Sequence, residues 1–276
     1  MRFVPLIAGL AASAALAPAL LRGLAEGGFV RQNYRGAHLP CPFGIVLALA
    51  LILAAALTAS VALLDDDPSV LPVGLAFVLG VAFLGLVDDQ FTTSSRGLRG
   101  HLKGVLRGEL STGAIKAVGT AALALVVVAE GRLLFGDSVA DSALAFAILV
   151  LATNLFNLLD LRPGRTLKAF ALVALGCLPA LDGDTLRQLG LFVGPIVVAG
   201  LYDLRERAML GDSGSNVIGA VAGLFLVAAA SGSTVALGAI AAALLLVTLY
   251  GEVRSINALV ESTPGLKHLD SLGRPA

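Results

Sequence analysis

Long apolar stretches recur along the whole chain, and short polar segments separate them. A transmembrane helix needs about 20 predominantly apolar residues. Nine windows approach that length: 3–21, 43–64, 70–87, 113–130, 139–156, 168–182, 188–202, 214–231 and 234–251. A hydrocarbon core admits only helices or closed barrels, and these runs are too long and too uniformly apolar for barrel strands. The pattern therefore predicts an all-α, polytopic transmembrane helix bundle of about nine spans.

Composition supports this class and excludes others. The chain has 276 residues, of which 57% are hydrophobic and 14% charged, whereas soluble domains average about 25% charged residues. The formal net charge is zero, so nucleic acid is not an expected partner. No loop is long enough for a separate soluble domain. We therefore predict a single integral-membrane domain over residues 1–276.

The basic residues predict an orientation. With the N-terminus outside, every Lys and Arg except Arg2, Arg132 and Arg187 falls on the cytoplasmic side. The predicted outer loops are acidic instead, as at Asp65–Asp67. This asymmetry satisfies the positive-inside rule. It predicts an external N-terminus and a cytoplasmic C-terminus.

Three polar motifs lie at the ends of apolar stretches, and the predicted orientation places all of them at the cytoplasmic face. They are Asp88-Asp89, the Asn154, Asn157 and Asp160 set, and Gly211-Asp212-Ser213-Gly214-Ser215. A carboxylate beside the hydrocarbon region is costly, so its presence is a hypothesis of function by default. Four carboxylates and two amides on one face predict a Mg²⁺ and phosphate site.

Each motif has a functional and a simpler interpretation. Asp88 and Asp89 would serve a metal or act as a base, or would only be solvated charges at a helix end. Asn154 and Asn157 would donate to phosphate with Asp160 on Mg²⁺, or would hydrogen-bond neighbouring helices.

The third motif is a glycine-rich segment at a predicted helix N-terminus. Gly211 and Ser213 would let a diphosphate approach the helix N-terminal N–H groups while Asp212 binds Mg²⁺. Alternatively, the segment is a helix cap.

Basic residues beside these motifs are further candidates for anion binding. Arg162 and Arg165 follow Asp160 in a Pro-Gly turn, and Arg binds phosphate with two donors at once. Arg35, in the first cytoplasmic loop, would bind a lipid phosphate. Topological charge, or attraction of a basic loop to anionic lipid, explains the same residues.

Taken together, these residues resemble a known family, the polyprenyl-phosphate N-acetylhexosamine-1-phosphate transferases, which includes phospho-N-acetylmuramoyl-pentapeptide transferase. That family has an Asp-Asp pair, an Asn-x-x-Asn-x-x-Asp segment and a Gly-Asp-x-Gly-Ser segment in the same order. Here they are Asp88-Asp89, Asn154 to Asp160 and Gly211 to Ser215. The resemblance covers about residues 22–220.

The resemblance implies a Mg²⁺-dependent enzyme of a bacterial-type plasma membrane, with its active site facing the cytoplasm. It would transfer a sugar-1-phosphate from a nucleotide sugar, UDP-linked in the family, to polyprenyl phosphate. Asp88, Asp89, Asp160 and Asp212 would be catalytic, with Asp212 and Asp160 on the metal. Which of the two adjacent aspartates acts as the base stays open, as does a homodimer.

The chain departs from the family in two places. After Asp160 the family continues with a second acidic residue, where this chain has Pro163 between arginines. The last cytoplasmic loop of the family carries several histidines for the nucleotide sugar, and here only His268 is present. A divergent subgroup, a non-catalytic homologue that binds lipid phosphate, and a transporter or flippase therefore stay as alternatives.

Overall fold

Eleven α-helices and one short β-hairpin make up the described part of the computed structural model, which covers residues 3–64, 71–91, 111–131 and 138–275. The helices are α1 (Val4–Glu26), α2 (Ile45–Leu64), α3 (Leu75–Gln90), α4 (Thr112–Glu130), α5 (Val139–Leu159), α6 (Arg165–Cys177), α7 (Gly183–Leu204), α8 (Gly211–Ala230), α9 (Thr234–Val253), α10 (Ile256–Ser262) and α11 (Pro264–Ser271). The hairpin pairs β1 (Val30–Gln32) with β2 (His38–Pro40). The predicted all-α class is therefore confirmed.

Seven of the described helices are long and apolar enough to cross a membrane: α1, α2, α4, α5, α7, α8 and α9. They coincide with seven of the nine predicted windows. The other two windows, 70–87 and 168–182, correspond to α3 and α6, which have 16 and 13 residues. At 1.5 Å per residue those two reach only about 24 and 20 Å, against a hydrocarbon core of about 30 Å. The described part of the chain thus has seven helices that could span a membrane, and the count of nine spans is not confirmed.

Helix α8 is the centre of the bundle. Within its apolar window, 83% of the residues are buried, against 17% for α9 at the periphery. It packs against α5, α3 and α6. Glycines allow the backbones to come this close: a Cβ on Gly85 of α3 would lie 2.6 Å from Asp212 O, and a Cβ on Gly44 would lie 2.1 Å from Gly214 N. The first turn of α8 is therefore held tightly between α2 and α3.

One end of the bundle carries the hairpin, the turn between α7 and α8, and the two short C-terminal helices. Met209 N donates to Pro40 O and Phe43 N to Met209 O, at 2.9 Å each, which joins the hairpin to the turn before α8. The motifs around Asp88, Asn157 and Asp212 lie at this same end, because they occupy the last turns of α3 and α5 and the first turn of α8. The predicted grouping of the three motifs is therefore present.

Several charged residues used in predicting the orientation, for and against it, lie outside the described part of the chain. They are Arg2, Asp65–Asp67, Arg96, Arg99, Lys103, Arg107, Arg132 and Asp137. The orientation of the bundle stays a prediction.

Candidate functional site

Two carboxylates from different helices share one ammonium group at the end of the bundle. Lys116 Nζ, one turn into α4, lies 2.7 Å from Asp88 Oδ2 and 2.5 Å from Asp212 Oδ2. The side chain of Lys116 is 17% exposed. These three residues bring the ends of α3, α4 and α8 together. We call Asp88, Asp212 and Lys116 the acidic pair and its lysine.

Asn157 of α5 completes this group. Its amide is best oriented with the nitrogen toward Asp212 Oδ1 (3.2 Å) and Ser215 Oγ (3.1 Å), which places its oxygen 3.2 Å from Lys116 Nζ. Only this orientation matches donors with acceptors. Asn157 therefore joins the first and third motifs to the second, whereas Asn154 lies one turn earlier on α5.

The two adjacent aspartates have different surroundings. Asp89 is buried, with a side chain 1% exposed. Its carboxylate accepts the backbone N–H groups of Asp212 (3.1 Å) and Ser213 (2.9 Å). Arg31 of β1 donates to the same carboxylate at 3.3 Å and also to the Asp89 carbonyl. Asp89 is therefore the internal anion that caps α8.

This cap changes the expectation for the glycine-rich motif. We predicted that Gly211 and Ser213 would let a substrate diphosphate approach the helix N-terminus. The segment forms the first turn of α8 instead of preceding it, and Asp89 already accepts two of its N–H groups. The positive end of the helix dipole is thus compensated from within the chain.

Asp160 makes no ion pair with Lys116, although the carboxylates of Asp212 and Asp89 are close enough to contribute to its raised pKa. It follows the last residue of α5 as its C-cap, and its carboxyl accepts a hydrogen bond from Thr166 Oγ1 at 3.2 Å. Burial raises the pKa of Asp160 well above its usual range, and the Asp203 carboxylate contributes to the rise. In this structure Asp160 is held by Thr166, and its predicted metal role stays a prediction.

Arg165 is used within the chain. It is 6% exposed, and its Nε and Nη2 donate to the two oxygens of Asp270 at 2.8 and 3.0 Å, while Nη1 donates to Asn257 Oδ1 at 2.6 Å. Arg274 also pairs with Asp270, at 2.8 Å. We call this cluster the C-terminal clasp, because it fastens α10 and α11 to the start of α6. Its geometry assigns Arg165 a structural role instead of the predicted anion-binding one.

The two arginines of the C-terminal clasp determine the ionisation of Asp270. Partial burial by itself would raise the pKa of Asp270, but the guanidinium groups of Arg165 and Arg274 outweigh it and hold that pKa below its ordinary value. Asp270 is therefore ionised at neutral pH. The clasp behaves as a charge-assisted bidentate pair, which is the strong form of such contacts.

The remaining predicted anion-binding residues lie at the rim. Arg162 stacks on the Tyr34 ring at 4.3 Å and pairs with the exposed Glu261 at 3.1 Å. Arg35 donates to the Tyr34 hydroxyl at 2.7 Å and to Pro275 O at 3.0 Å. His268 lies on the exposed surface of α11. The structure does not bring Arg35 or His268 into contact with the acidic pair.

Sequence reasoning missed three site residues. Lys116 was counted only as topological charge, although it lies inside a predicted span, where a charge usually marks a site. Arg31 was one of several loop arginines. Asp203, at the C-terminal end of α7, accepts Gly164 N–H at 2.7 Å and fixes the turn after Asp160. Nothing in the sequence near Asp203 pointed to that contact.

Asp88 and Asp212 are the carboxylates that lie where the expected Mg²⁺ would bind. Mg²⁺ is commonly bound through one or two carboxylates together with substrate phosphates, and Asp88 and Asp212 supply two. Within residues 3–64, 71–91, 111–131 and 138–275, no three His, Cys, Asp or Glu side chains are grouped to hold a metal ion. The acidic pair therefore fits a metal that takes its other ligands from substrate and water, and does not form a closed cage.

Models of known protein families and characterised proteins were compared with this chain, and none matches it.

Proposed function

We propose that this protein transfers a sugar-1-phosphate from a nucleotide sugar, UDP-linked by the resemblance, to polyprenyl phosphate. The products are a polyprenyl-diphospho-sugar and a nucleoside monophosphate. The observation that carries the proposal is the acidic pair with its lysine, formed by three helices at one end of an apolar bundle. A lipid phosphate can reach such a site while its prenyl chain stays in the bilayer.

The chemistry joins two anions, so the first need is charge compensation. Mg²⁺ held by Asp88 and Asp212 would neutralise the phosphate oxygens. Lys116 would bind a phosphate oxygen as a point charge, and the Asn157 amide would donate a hydrogen bond. Asn157 already lies 3.2 Å from Asp212 before substrate arrives, which favours in-line alignment.

An oxygen of the polyprenyl phosphate attacks the phosphorus that bears the sugar, and the bond from that phosphorus to the nucleotide phosphate breaks. The nucleoside monophosphate leaves with the bonding electron pair. The polyprenyl phosphate would attack as its dianion, so no protein group has to accept a proton; Asp88 would serve the metal, and Asp89 is engaged by α8 and Arg31.

A non-catalytic homologue that binds lipid phosphate is the second candidate. Asp160, which the resemblance makes catalytic, accepts a hydrogen bond from Thr166 within the chain, and this favours the non-catalytic homologue. A transporter or flippase is less well supported, because such proteins place polar groups near the bilayer midplane. The described charges of this site lie at helix ends instead.

The test is an exchange assay. Purified protein in detergent is mixed with undecaprenyl phosphate, Mg²⁺ and a panel of UDP- and CDP-sugars, and release of UMP or CMP is followed. Release with one donor, lost in Asp88→Asn and Asp212→Asn but kept in Asp184→Asn, supports the proposal. Asp184 is the matched control, since it is an exposed aspartate at the opposite end of α7. Binding of undecaprenyl phosphate without release from any donor would favour the second candidate.

The proposed setting is a bacterial-type plasma membrane with the site facing the cytoplasm. The distribution of basic residues supports this orientation. It is tested by labelling single cysteines in intact cells. A cysteine at exposed Arg254 should be protected from an impermeant reagent, and one at exposed Asp184 should react.

A further inference from the structure

The ammonium group of Lys116 has no donor to spare. An ammonium carries three N–H donors, and three acceptors surround this one: Asp88 Oδ2 at 2.7 Å, Asp212 Oδ2 at 2.5 Å and the Asn157 amide oxygen at 3.2 Å. The side chain is largely enclosed, at 17% exposure. Lys116 is therefore bound by the acidic pair as an ion would be.

A divalent cation at the acidic pair would need the same two oxygen atoms. Mg²⁺ takes its ligands at about 2.0–2.1 Å, closer than the lysine nitrogen lies now. The pair carries two negative charges and Lys116 cancels one of them. With Lys116 in place, the site presents a net charge of minus one instead of minus two to an incoming metal ion. The Lys116 ammonium would also repel that ion at contact distance.

Once displaced from the acidic pair, the Lys116 ammonium needs another anionic partner. Its stem is flexible and its head is a compact charge that binds phosphate. With a divalent cation on Asp88 and Asp212 and the ammonium released, the site changes from a net charge of minus one to plus one. A phosphate anion then becomes the natural partner for Lys116.

We propose that Lys116 is the built-in competitor of the divalent cation at the acidic pair, and that its displacement supplies the ammonium which binds the substrate phosphate. The inference rests on the proposed function for the identity of that phosphate. Competition itself needs no turnover. Lys116 would keep metal binding weak without substrate and couple it to phosphate binding.

If Lys116 competes with the metal, its substitution should raise the Mg²⁺ affinity of the protein instead of lowering it. Replacing a residue that only supports a metal site weakens metal binding, whereas Lys116→Met should strengthen it. Mg²⁺ is titrated into purified full-length protein in detergent while the melting temperature is followed. The Mg²⁺ concentration for half of the maximal stabilisation should fall about tenfold in Lys116→Met, which corresponds to about 1.4 kcal/mol. Lys116→Gln should show the same direction and serves if Lys116→Met does not fold.

Lys168→Met is the matched control. Lys168 lies at the same end of the bundle, where it donates to Asp270 O at 2.6 Å and does not contact the acidic pair. Its substitution should leave the Mg²⁺ titration unchanged. An unchanged or higher Mg²⁺ requirement in both Lys116 variants would overturn the inference, as would the absence of any Mg²⁺ response in wild type and variants alike.

The two proposals fail separately. A protein that shows the predicted gain in Mg²⁺ binding but transfers no sugar-phosphate keeps the competition and loses the transferase. A protein that transfers sugar-phosphate but binds Mg²⁺ more weakly in Lys116→Met keeps the transferase and makes Lys116 a supporting residue.

Discussion

Asp88 and Asp89 are adjacent in sequence but have different roles, and comparing their substitutions gives the sharpest test of the site. Asp89→Asn should destabilise the protein strongly and Asp88→Asn only slightly, although the chemical change is identical. Asp89 accepts two backbone N–H groups of α8 within 3.1 Å and an Arg31 guanidinium. Asp88 is 17% exposed and its pairing with Lys116 is shared by Asp212.

The magnitude follows from those contacts. A hydrogen bond to a charged group contributes about 1.5–3 kcal/mol. In Asp89→Asn one oxygen still accepts, but the new NH₂ group meets a backbone N–H and the partner charge of Arg31 is lost. We expect a loss of about 3 kcal/mol, or roughly 6–12 °C in melting temperature at about 2–4 °C per kcal/mol. Asp88→Asn should cost only about 1 kcal/mol, because Lys116 keeps Asp212 as its ionic partner at 2.5 Å.

The assay is thermal unfolding of both variants in one detergent, beside the exchange reaction. Asp88→Asn should melt close to wild type and lose transfer. Asp89→Asn should melt early, and any transfer it retains should disappear with unfolding. If Asp89→Asn melts like wild type and lacks transfer, Asp89 is a reacting group and the capping argument is wrong.

Further predictions concern packing and the C-terminal clasp. Gly85→Ala should cost about 1–3 kcal/mol, because its Cβ would lie 2.6 Å from the α8 backbone, whereas Gly238→Ala, with nothing within 4 Å, should be neutral or slightly stabilising; equal melting temperatures would contradict this. Arg165→Gln should speed cleavage of α10 and α11 by proteinase K several-fold, while Arg254→Gln, an exposed control, should not. Since the folded pKa of Asp270 is lowered, the clasp is fully formed above the ordinary value of about 3.9 and is lost as pH falls through the folded pKa. Resistance should be flat from pH 5 to 8 and fall only below about pH 4; a decline near pH 6 would show that another group controls the clasp.

The helices themselves were predictable, because an apolar run in a bilayer has few alternatives. Seven of the predicted windows match the seven long helices to within a few residues at most ends. The two windows that are not confirmed as spans are 70–87 and 168–182, which correspond to the shorter helices α3 and α6. Both of these helices pack against α8.

Motif grouping was also largely predictable. Asp88, Asn157 and Asp212 end or begin apolar stretches on the same predicted side, so any bundle of these helices brings them to one end. The sequence by itself determined that such an end exists, because hydrophobicity and charge are local properties that each segment carries wherever it packs.

Tertiary structure decided what each charged group does there. Asp88 and Asp89 are neighbours in sequence, but side chains one residue apart on a helix point about 100° away from each other, and only the position of α8 decides which one caps it. Lys116 and Arg165 looked like topological charge and a phosphate ligand until their partners, from 96 and 105 residues away in sequence, were in place. Such pairings are long-range, so they are determined by helix packing and not by the residues around each charge.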